Sequence, residues 1–368
     1  MSSQVRGRWN ISYLCLQALH EGQASYAHVN GIVDGLRALG WRVRLFAPGS
    51  TTKPQAMHRL VAIVRTQIEC LRHMSEIDVL YVRWHFAAWP TVAMAKLRKV
   101  PFVVEVNGTF EDAVVAWPRL KPLAGVLRGA SRAQLEWASG LIAVTDELAS
   151  WAAAQCRVAK RTMVVPNAAD TDLFAPRPPS HATGGGYVAF VGALAPWQGV
   201  TVMIDATRHP RWPEGVALAL AGDGQMRERI RDVQDDRTIR YLGRLPHAEV
   251  PAFLAGAIAS LCVQTATGGR GDVGCSPIKL YEGLAAGRPV IASDMPGVGN
   301  VVDDAGGGVI VPPGDAGAVA EAVASLTADR DAADAMGSRA REAAVREHSW
   351  HARARATDAF LLDLLSAR

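Results

Sequence analysis

"SPIKLYEGLAAGRPVIAS", residues 276–293, reads as an alanine-rich helix that runs directly into an apolar strand. It sets Lys279 and Glu282 three apart on the first turns, so that both face the same side of the helix. A helix feeding a strand is half of a βαβ unit, and the chain repeats that unit in both directions. Upstream, "YVAFVG" (187–192), "VALALAG" (216–222), "IRYLG" (239–243) and "ASLCVQ" (259–264) are short apolar runs separated by helix-length segments near 199–208, 224–234 and 247–256. Downstream, "GGVIVPP" (307–313) is followed by two helical segments.

The first half shows the same alternation. "ISYLCL" (11–16), "RVRLFAP" (42–48), "VLYVRW" (79–84), "PFVVEV" (101–106), "LIAVT" (141–145) and "TMVVPN" (162–167) alternate with helices near 25–40, 56–74, 88–99, 124–139 and 146–155. Strands separated by helices imply parallel sheets with right-handed crossovers. The stretch "FAPRPPSHATGGG" (174–186) is rich in Pro, Gly and Ser and reads as a linker between two such cycles. The expectation is therefore an α/β protein of two doubly wound, Rossmann-like domains facing each other across a cleft. They span 1–178 and 179–347, with a terminal helical segment at 348–368. In such sheets ligands sit at the carboxyl ends of the strands.

Composition agrees with folded domains. The chain has 368 residues, 49% of them hydrophobic and 20% charged, enough for two sizeable cores. The five cysteines are scattered and form no C-x-x-C pair, so neither a disulfide framework nor a zinc site is suggested, and a reducing cytoplasm is the simplest setting. The opening "MSSQVRGRWNISYLCLQALHEG" is broken by Gln17, His20 and Glu21 before a signal-peptide core forms, and no run of about 18 apolar residues reads as a membrane span. The net charge of +4 hides an asymmetry: Lys plus Arg against Asp plus Glu is 21 to 13 up to Pro178, and 18 to 22 beyond it.

Several chemistries are disfavoured by spacing. No G-x-G-x-x-G follows a strand, since Gly222 and Gly224 lack the third glycine of a dinucleotide fingerprint. His20-Glu21 is followed by Ala24 where a zinc protease needs its second histidine, and no G-x-S-x-G elbow is present. Asp170-Thr-Asp172 resembles a metal-binding D-x-D but sits in a turn where short polar side chains favour capping. No metal site is expected.

Phosphate and sugar chemistry remains. "EGQAS" (21–25) follows the first strand and opens a helix, so backbone amides around Gly22 and Gln23 are placed to meet an anion. In "TATGGRGDVGCSPIKLYE" (265–282), glycines 268, 269, 271 and 274 permit close backbone approach, Ser276 suits a helix cap and Pro277 its first turn. Lys279 in a first helical turn opposes the helix dipole, which an external anion would explain. Glu282 either pairs with Lys279 or accepts hydrogen bonds from ribose hydroxyls.

Six motifs then fall in the order found in glycosyltransferase family 4, which the chain resembles over nearly its whole length. They are "VVPNAADTDLFAP" (164–176), "YVAFVGALAPWQGV" (187–200), "LALAGDGQMRERI" (218–230), "RYLGRLPHAEVPAFLAGA" (240–257), "SPIKLYEGLAAGRPVIASD" (276–294) and "GGVIVPPGD" (307–315). The resemblance implies the GT-B fold and transfer of a sugar, with retained configuration and no metal or other cofactor, from a nucleotide-diphosphate donor such as a UDP- or GDP-sugar. The acceptor would be a saccharide, a lipid-linked molecule or a small molecule. It implies that the last helix crosses back to the first domain.

Position by position, it implies that Glu282 binds ribose and that Gly243 and Arg244 lie beside the base. Gly274, Cys275, Ser276, Pro277 and Ile278 would wrap the sugar. Ile278, Lys279 and Leu280 would meet the phosphates. Gly22 and Gln23 would approach the diphosphate from the first domain, with Gly192, Gln198 and Arg270 completing the donor site. Asn107 and Lys279 stand as the catalytic candidates.

The chain departs from the family pattern in three places. Ala193 and Gln198 stand where most members carry an arginine and a lysine, Gly274 stands where the first glutamate of Glu-x7-Glu belongs, and Asn107 stands where many have a histidine. These losses leave open two alternatives to transfer: a nucleotide-sugar-binding partner that has lost catalysis, and a GT-B epimerase or phosphorylase.

The basic first half admits one more partner. "WPRLKPLAGVLRGASRAQLEW" (117–137) places Trp117, Arg119, Lys121, Arg128 and Arg132 among leucines, which suits either a solvated helix face or an anionic membrane. Its dispersed charge and the lack of a recognised module argue against nucleic acid. The expected location is the cytoplasm, with peripheral contact at the inner face of the cell membrane left open.

Overall fold

Among the described residues, twelve strands form two six-stranded parallel sheets. The structure is a computed structural model that describes residues 9–49, 56–111, 118–177, 186–265 and 273–367. By contacts the chain divides into two units: residues up to Pro166 together with those from Arg353 onward, and Asn167–Ala352.

In the first unit, β1 (Asn10–Leu14), β2 (Arg42–Phe46), β3 (Val79–Arg83), β4 (Phe102–Val106), β5 (Gly140–Ala143) and β6 (Arg161–Val164) are ordered β2-β1-β3-β4-β5-β6. The central β4 and β5 are buried throughout, as parallel strands covered by helices on both faces must be. Edge strand β2 instead exposes Arg42 and Arg44, charges that discourage pairing with another edge. The described helices before β6 are α1 (Ala24–Ala38), α2 (Ala56–Arg72), α3 (Trp89–Leu97), α4 (Ala124–Trp137) and α5 (Asp146–Ala154). Thr145 caps α5 by accepting from the Leu148 amide at 3.1 Å.

In the second unit, β7 (Tyr187–Val191), β8 (Ala217–Ala221), β9 (Ile239–Gly243), β10 (Ala259–Cys262), β11 (Val290–Ser293) and β12 (Gly308–Val311) are ordered β12-β11-β10-β7-β8-β9. The chain builds outward from β7 in one direction, then returns to build outward from β10 in the other. The switch point between β7 and β10 is where such sheets hold ligands. The described helices here are α6 (Val200–Thr207), α7 (Arg227–Arg231), α8 (Val250–Ala255), α9 (Ile278–Ala285), α10 (Gly299–Ala305), α11 (Ala316–Ala328) and α12 (Arg330–Arg346). Tyr281, Leu280 and Leu284 of α9 pack into a core with Phe174, Ala189, Ala219 and Val290.

The change of unit comes after Pro166, upstream of the Pro178 boundary that composition suggests. Local bonds decide it: the Asn167 amide donates to Ser276 Oγ at 2.8 Å, Ala169 pairs with Ser349, and Phe174 is buried in the second core. The Pro-rich stretch is thus entered only after the chain has joined the second unit.

Helix α13 (Trp350–Ser366) starts in the second unit, and its residues from Arg353 onward belong to the first. There, Asp358 Oδ1 accepts from Trp41 Nε1 at 2.7 Å, and Arg161 pairs with Asp363 at 2.6 Å. Phe360 and Leu364 lie so close over Gly140 that a Cβ there would come within 2.7 Å of the Phe360 ring. Among the described residues no helix is long and apolar enough to cross a membrane.

Candidate active site

The second unit gathers its polar groups beyond β7 and β10. Strand β7 ends in Gly192 at φ +146°, facing Gly222 at φ +147° beyond β8. A Cβ on Gly222 would overlap the Gly192 carbonyl oxygen, so only glycine lets the two loops close. The Gly222 amide in turn donates to the Gly243 carbonyl at 2.7 Å, and Tyr241 Oη donates to the Gly222 carbonyl at 3.0 Å. Gly243 is thereby fixed in the turn after β9, with the exposed Arg244 beside it.

Lys279 is the second residue of α9, and its side chain turns back over the β7 end. Its Nζ donates to Gln198 Oε1 at 2.5 Å and lies 4.0 Å from the centroid of the Phe190 ring. It also comes within 3.2 Å of where a Gly192 Cβ would stand. Burial pushes the ammonium down to about 8, which the Cys262 and Cys275 thiols and the Glu282 carboxyl only partly oppose.

Glu282, one turn on, is half-buried. Burial pushes its carboxyl up to about 7, which Lys279 only partly opposes. The two do not pair with each other: Lys279 is bound to Gln198, and no described residue donates a hydrogen bond to the Glu282 carboxylate.

The loop before α9 corrects two expectations about its residues. Ser276 does not cap the helix; its hydroxyl accepts from the Asn167 amide and bonds Tyr281 Oη at 2.9 Å, while the cap position falls to Pro277 at φ −75°, ψ 127°. The Ser276 carbonyl also accepts from Asn167 Nδ2, so Ser276 is tied to Asn167 through both side chain and backbone. The Leu280 amide is already bonded to the Pro277 carbonyl at 3.1 Å, so at this helix mouth the amides of Ile278 and Lys279 are the ones left to meet a phosphate. Cys275 Sγ donates to Gln264 Oε1 at 2.8 Å, and its amide to the Pro296 carbonyl at 3.2 Å. Gly274 sits at φ +69° against that same carbonyl, where a Cβ would overlap it. Arg270 and glycines 268, 269 and 271 lie outside the described residues.

In the first unit the sequence reading picked out Asn107 but missed what holds it. Glu105 of β4 is 1% exposed and collects donors from four elements. Tyr13 Oη donates to it at 3.0 Å, Tyr81 Oη at 2.8 Å, Arg83 Nη1 at 2.5 Å and Asn107 Nδ2 at 2.6 Å, while His28 Nε2 lies at 2.9 Å. Burial alone would raise this carboxyl, but His28 and Arg83, with hydrogen bonds from His28 and Asn107, hold it well below the usual carboxylate range. Tyr13 and Tyr81 stack at 4.5 Å between ring centroids on adjacent strands. The signal that could have found this cluster is a glutamate inside the otherwise apolar strand "PFVVEV", a charge that must be paired if it is buried.

Tying Asn107 Nδ2 to Glu105 leaves its Oδ1 as the end free to meet a substrate hydroxyl. Gly22 (φ +78°) and Gln23 form an exposed turn before α1, and the Gln23 amide is spent on the His20 carbonyl at 3.1 Å, so it does not serve an anion. Asp170 Oδ1 accepts from the amides of Asp172 and Leu173, a turn-capping use of the D-x-D. In the 117–137 stretch, Arg128 pairs with Glu111 at 3.3 Å and Arg132 Nε donates to the Gln155 carbonyl at 2.7 Å, so two of its cations are engaged locally; Trp117 and the Arg119 side chain lie outside the described residues.

Comparison with known proteins adds to this geometry. Residues 27–173 match the family model described as Glycosyltransferase Family 4, and residues 185–329 match Glycosyl transferases group 1. Among relatives, a GDP-mannose-dependent alpha-(1-6)-phosphatidylinositol monomannoside mannosyltransferase of Mycobacterium tuberculosis is 28% identical over 338 residues, 86% of this chain and 82% of that one. A glycogen synthase of the same organism is 28% identical over 298 residues, 76% of this chain and 67% of its own. Among solved structures, sucrose-phosphate synthase from Thermosynechococcus elongatus superposes with a TM-score of 0.75 at 18% identity, covering 98% of this chain and all (100%) of that one. Anabaena HepE in complex with UDP and glucose superposes with a TM-score of 0.70 at 16% identity, covering 96% and 100%. With both halves matched in order and both sheets in place, the chain belongs to the group 1, family 4 glycosyltransferases and is an enzyme of the GT-B fold.

Proposed function

We propose that the enzyme moves a hexose from a nucleoside-diphosphate donor, bound by the second unit, to an acceptor hydroxyl, with retained configuration and without a metal. The observation that carries this is Lys279: a half-buried ammonium at the mouth of α9, beyond the carboxyl end of β7, that meets a neutral amide and a ring face instead of a carboxylate. A diphosphate supplies the missing negative charge, and the α9 dipole adds to the field. Glu282, with no hydrogen-bond donor among the described residues, is left to accept from the ribose hydroxyls.

In the reaction, the sugar C1–O bond to the diphosphate breaks as C1 bonds to the acceptor oxygen. The hydroxyl proton passes to the departing phosphate or to solvent. Charge grows on the leaving oxygens, and donors fixed in advance are what lower the barrier, by about 3 to 4 kcal/mol for a single one. Lys279 is that donor here. Asn107 exchanges no proton; held by Glu105, it presents Oδ1 to orient a hydroxyl.

The relatives' names make GDP-mannose the first donor to test and lipid-linked acceptors the first acceptor class, alongside saccharides and small molecules. The five cysteines are thiols, which suits a reducing cytoplasm.

The test is a panel of UDP- and GDP-sugars incubated with the enzyme and candidate acceptors, without added metal, following nucleoside-diphosphate release and the anomeric signal of the product. Release with one donor and a product of the donor's own anomeric configuration is expected. Release only on adding a divalent ion, or inversion at C1, would refute the reading.

A further inference from the structure

Two loops of the second unit meet through their main chains beyond the carboxyl ends of β7 and β10. The Thr265 amide donates to the Trp197 carbonyl at 3.1 Å. Gly199, at φ +70°, lies so close to the Val263 carbonyl oxygen that a Cβ there would overlap it, so only glycine lets the loops close. Gln198 and Gln264, one on each loop, are thereby set side by side. Gln264 is 6% exposed, and a carboxamide taken that far from water needs partners for both of its ends.

Those partners belong to the donor site. Gln264 Oε1 accepts from Cys275 Sγ at 2.8 Å. Gln264 Nε2 donates at 3.4 Å to Gln198 Oε1, the same oxygen that accepts from Lys279 Nζ at 2.5 Å. The directions of these bonds are not interchangeable. An ammonium only donates, so Gln198 has to turn its oxygen, not its amino group, toward Lys279. The two ends of a carboxamide have nearly the same shape, so hydrogen bonds rather than packing choose between them. A second donor on the same oxygen, Gln264 Nε2, selects that orientation, and the Cys275 thiol keeps Gln264 itself the right way round. The main chain of Gln264 is also fixed: its amide and its carbonyl are both bonded at 2.8 Å to Ser293 Oγ at the end of β11, which is fully buried. Through Gln198 and Gln264, Lys279 is thus tied to the sheet.

We infer that Gln264 is a positioning residue of the transfer site: acting through Gln198, it holds the Lys279 ammonium where the leaving diphosphate arrives. Its part in transfer rests on Lys279 meeting the diphosphate, as proposed above; its hold on Lys279 in the free enzyme does not.

Gln264→Met removes the amide at nearly constant length and leaves the main-chain bonds to Ser293 in place. An ammonium whose acceptor is no longer held loses stabilisation, so Lys279 should release its proton at lower pH in this variant. Carbon-13 titration of the lysine Cε signals, with Lys279 assigned by its absence from Lys279→Met, reads this with no donor present. From about 8 in the wild type, the midpoint should move down by about half a unit in Gln264→Met and by about a full unit in Gln198→Met, which loses the acceptor itself. The other titratable groups acting on Lys279 are the Cys262 and Cys275 thiols and the Glu282 carboxyl, and both variants retain them. Adding Gln264→Met to Gln198→Met should give no further shift, the mark of one residue acting through the other. GDP or UDP affinity by titration calorimetry, and turnover, should each fall about fivefold in Gln264→Met, with the acceptor KM unchanged. A wild-type Lys279 midpoint in Gln264→Met, or a shift that adds in full to that of Gln198→Met, would overturn the inference. Gln198 is half-buried in a loop, so if circular dichroism shows that Gln264→Met does not fold, a wild-type midpoint in Gln198→Met overturns it alone. Unchanged nucleotide affinity in Lys279→Met would instead refute the diphosphate contact, and the free-enzyme titration would still decide what Gln264 holds.

Discussion

Replacing Glu282 with glutamine should make the unliganded enzyme more stable and bind its donor worse. In the folded chain burial holds this carboxyl at about 7, against an ordinary value of 4.5. The folded state therefore binds the proton more tightly than the unfolded one, and stability falls as pH rises from 4.5 to about 7. The penalty is absent below that window and complete above it. A shift of that size corresponds to about 3 kcal/mol at about 1.4 kcal/mol per unit, which partial solvent access reduces to about 1–2 kcal/mol. Glu282→Gln removes the buried charge at nearly constant volume. For a unit of this size the melting midpoint at pH 8 should rise by about 2–8 °C, with no difference from wild type near pH 4.5. The same change removes a charged acceptor from the proposed ribose contact, worth about 1.5–3 kcal/mol, so nucleoside-diphosphate affinity should fall about 10- to 100-fold. Scanning calorimetry at the two pH values and titration calorimetry with GDP and UDP measure both. A variant that melts lower than wild type at pH 8 would show that the carboxylate is stabilised rather than stranded. Unchanged nucleotide affinity would remove Glu282 from the ribose.

Lys279, at about 8 in the free enzyme, should rise on binding a diphosphate, so binding takes up a proton in alkaline solution. The dissociation constant for GDP or UDP should weaken by up to about tenfold per pH unit above pH 8, and Lys279→Met should abolish that dependence. Gly274→Glu, which restores the family's glutamate, should destabilise the second unit by about 1–3 kcal/mol and lower turnover, because φ +69° and the Pro296 carbonyl leave no room for a side chain. Denaturant unfolding with a turnover assay checks it, and a gain in either quantity would contradict the loop geometry. Glu105→Ala should cost the first unit about 3–5 kcal/mol by stranding Arg83 and two tyrosines. Because the folded carboxyl is held below its ordinary value, the wild type should lose this stability only as pH falls well into acid, and the variant should show no such loss in urea unfolding across the same range.

The strands were legible because burial on both faces leaves a run of apolar residues that little else produces. "ALALA" of β8 and "FVVEV" of β4 are read by inspection, and the alternation with helices then dictates parallel sheets. The unit boundary was not legible in the same way. Proline and glycine mark where a chain is free to loop, whereas Asn167 and Phe174 join the second unit through one hydrogen-bonding pair and one core position, which composition does not register. The glutamate hub was hidden for a related reason. Tyr13, His28 and the β3 pair Tyr81 and Arg83 are far apart in sequence, and only the order β2-β1-β3-β4 brings three adjacent strands under one carboxylate. Lys279 was found from its awkward place in a first turn, but its partner Gln198 looked like a mere loss of charge.

The departures around the second-unit site are joined to one another, and this changes what they mean. Gln198 Oε1 accepts from Lys279 Nζ and from Gln264 Nε2 at 3.4 Å. Gln264 Oε1 accepts from Cys275 Sγ, and the backbone of Gln264 is clasped by Ser293 Oγ through two bonds of 2.8 Å. Cys275 follows Gly274, whose conformation lets the loop meet the Pro296 carbonyl. A lysine at 198 would give Lys279 a second ammonium in place of the acceptor it now has, and a glutamate at 274 would break the turn that presents Cys275. The neutral residues thus form one network: Gln198 bridges Lys279 to Gln264 and holds that cation in a single position. Among the described residues such a site starts with less positive field than one that keeps the family's arginine and lysine, but under the proposed function the Lys279 charge is fixed before the donor arrives, and fixed charge is the part that lowers a barrier.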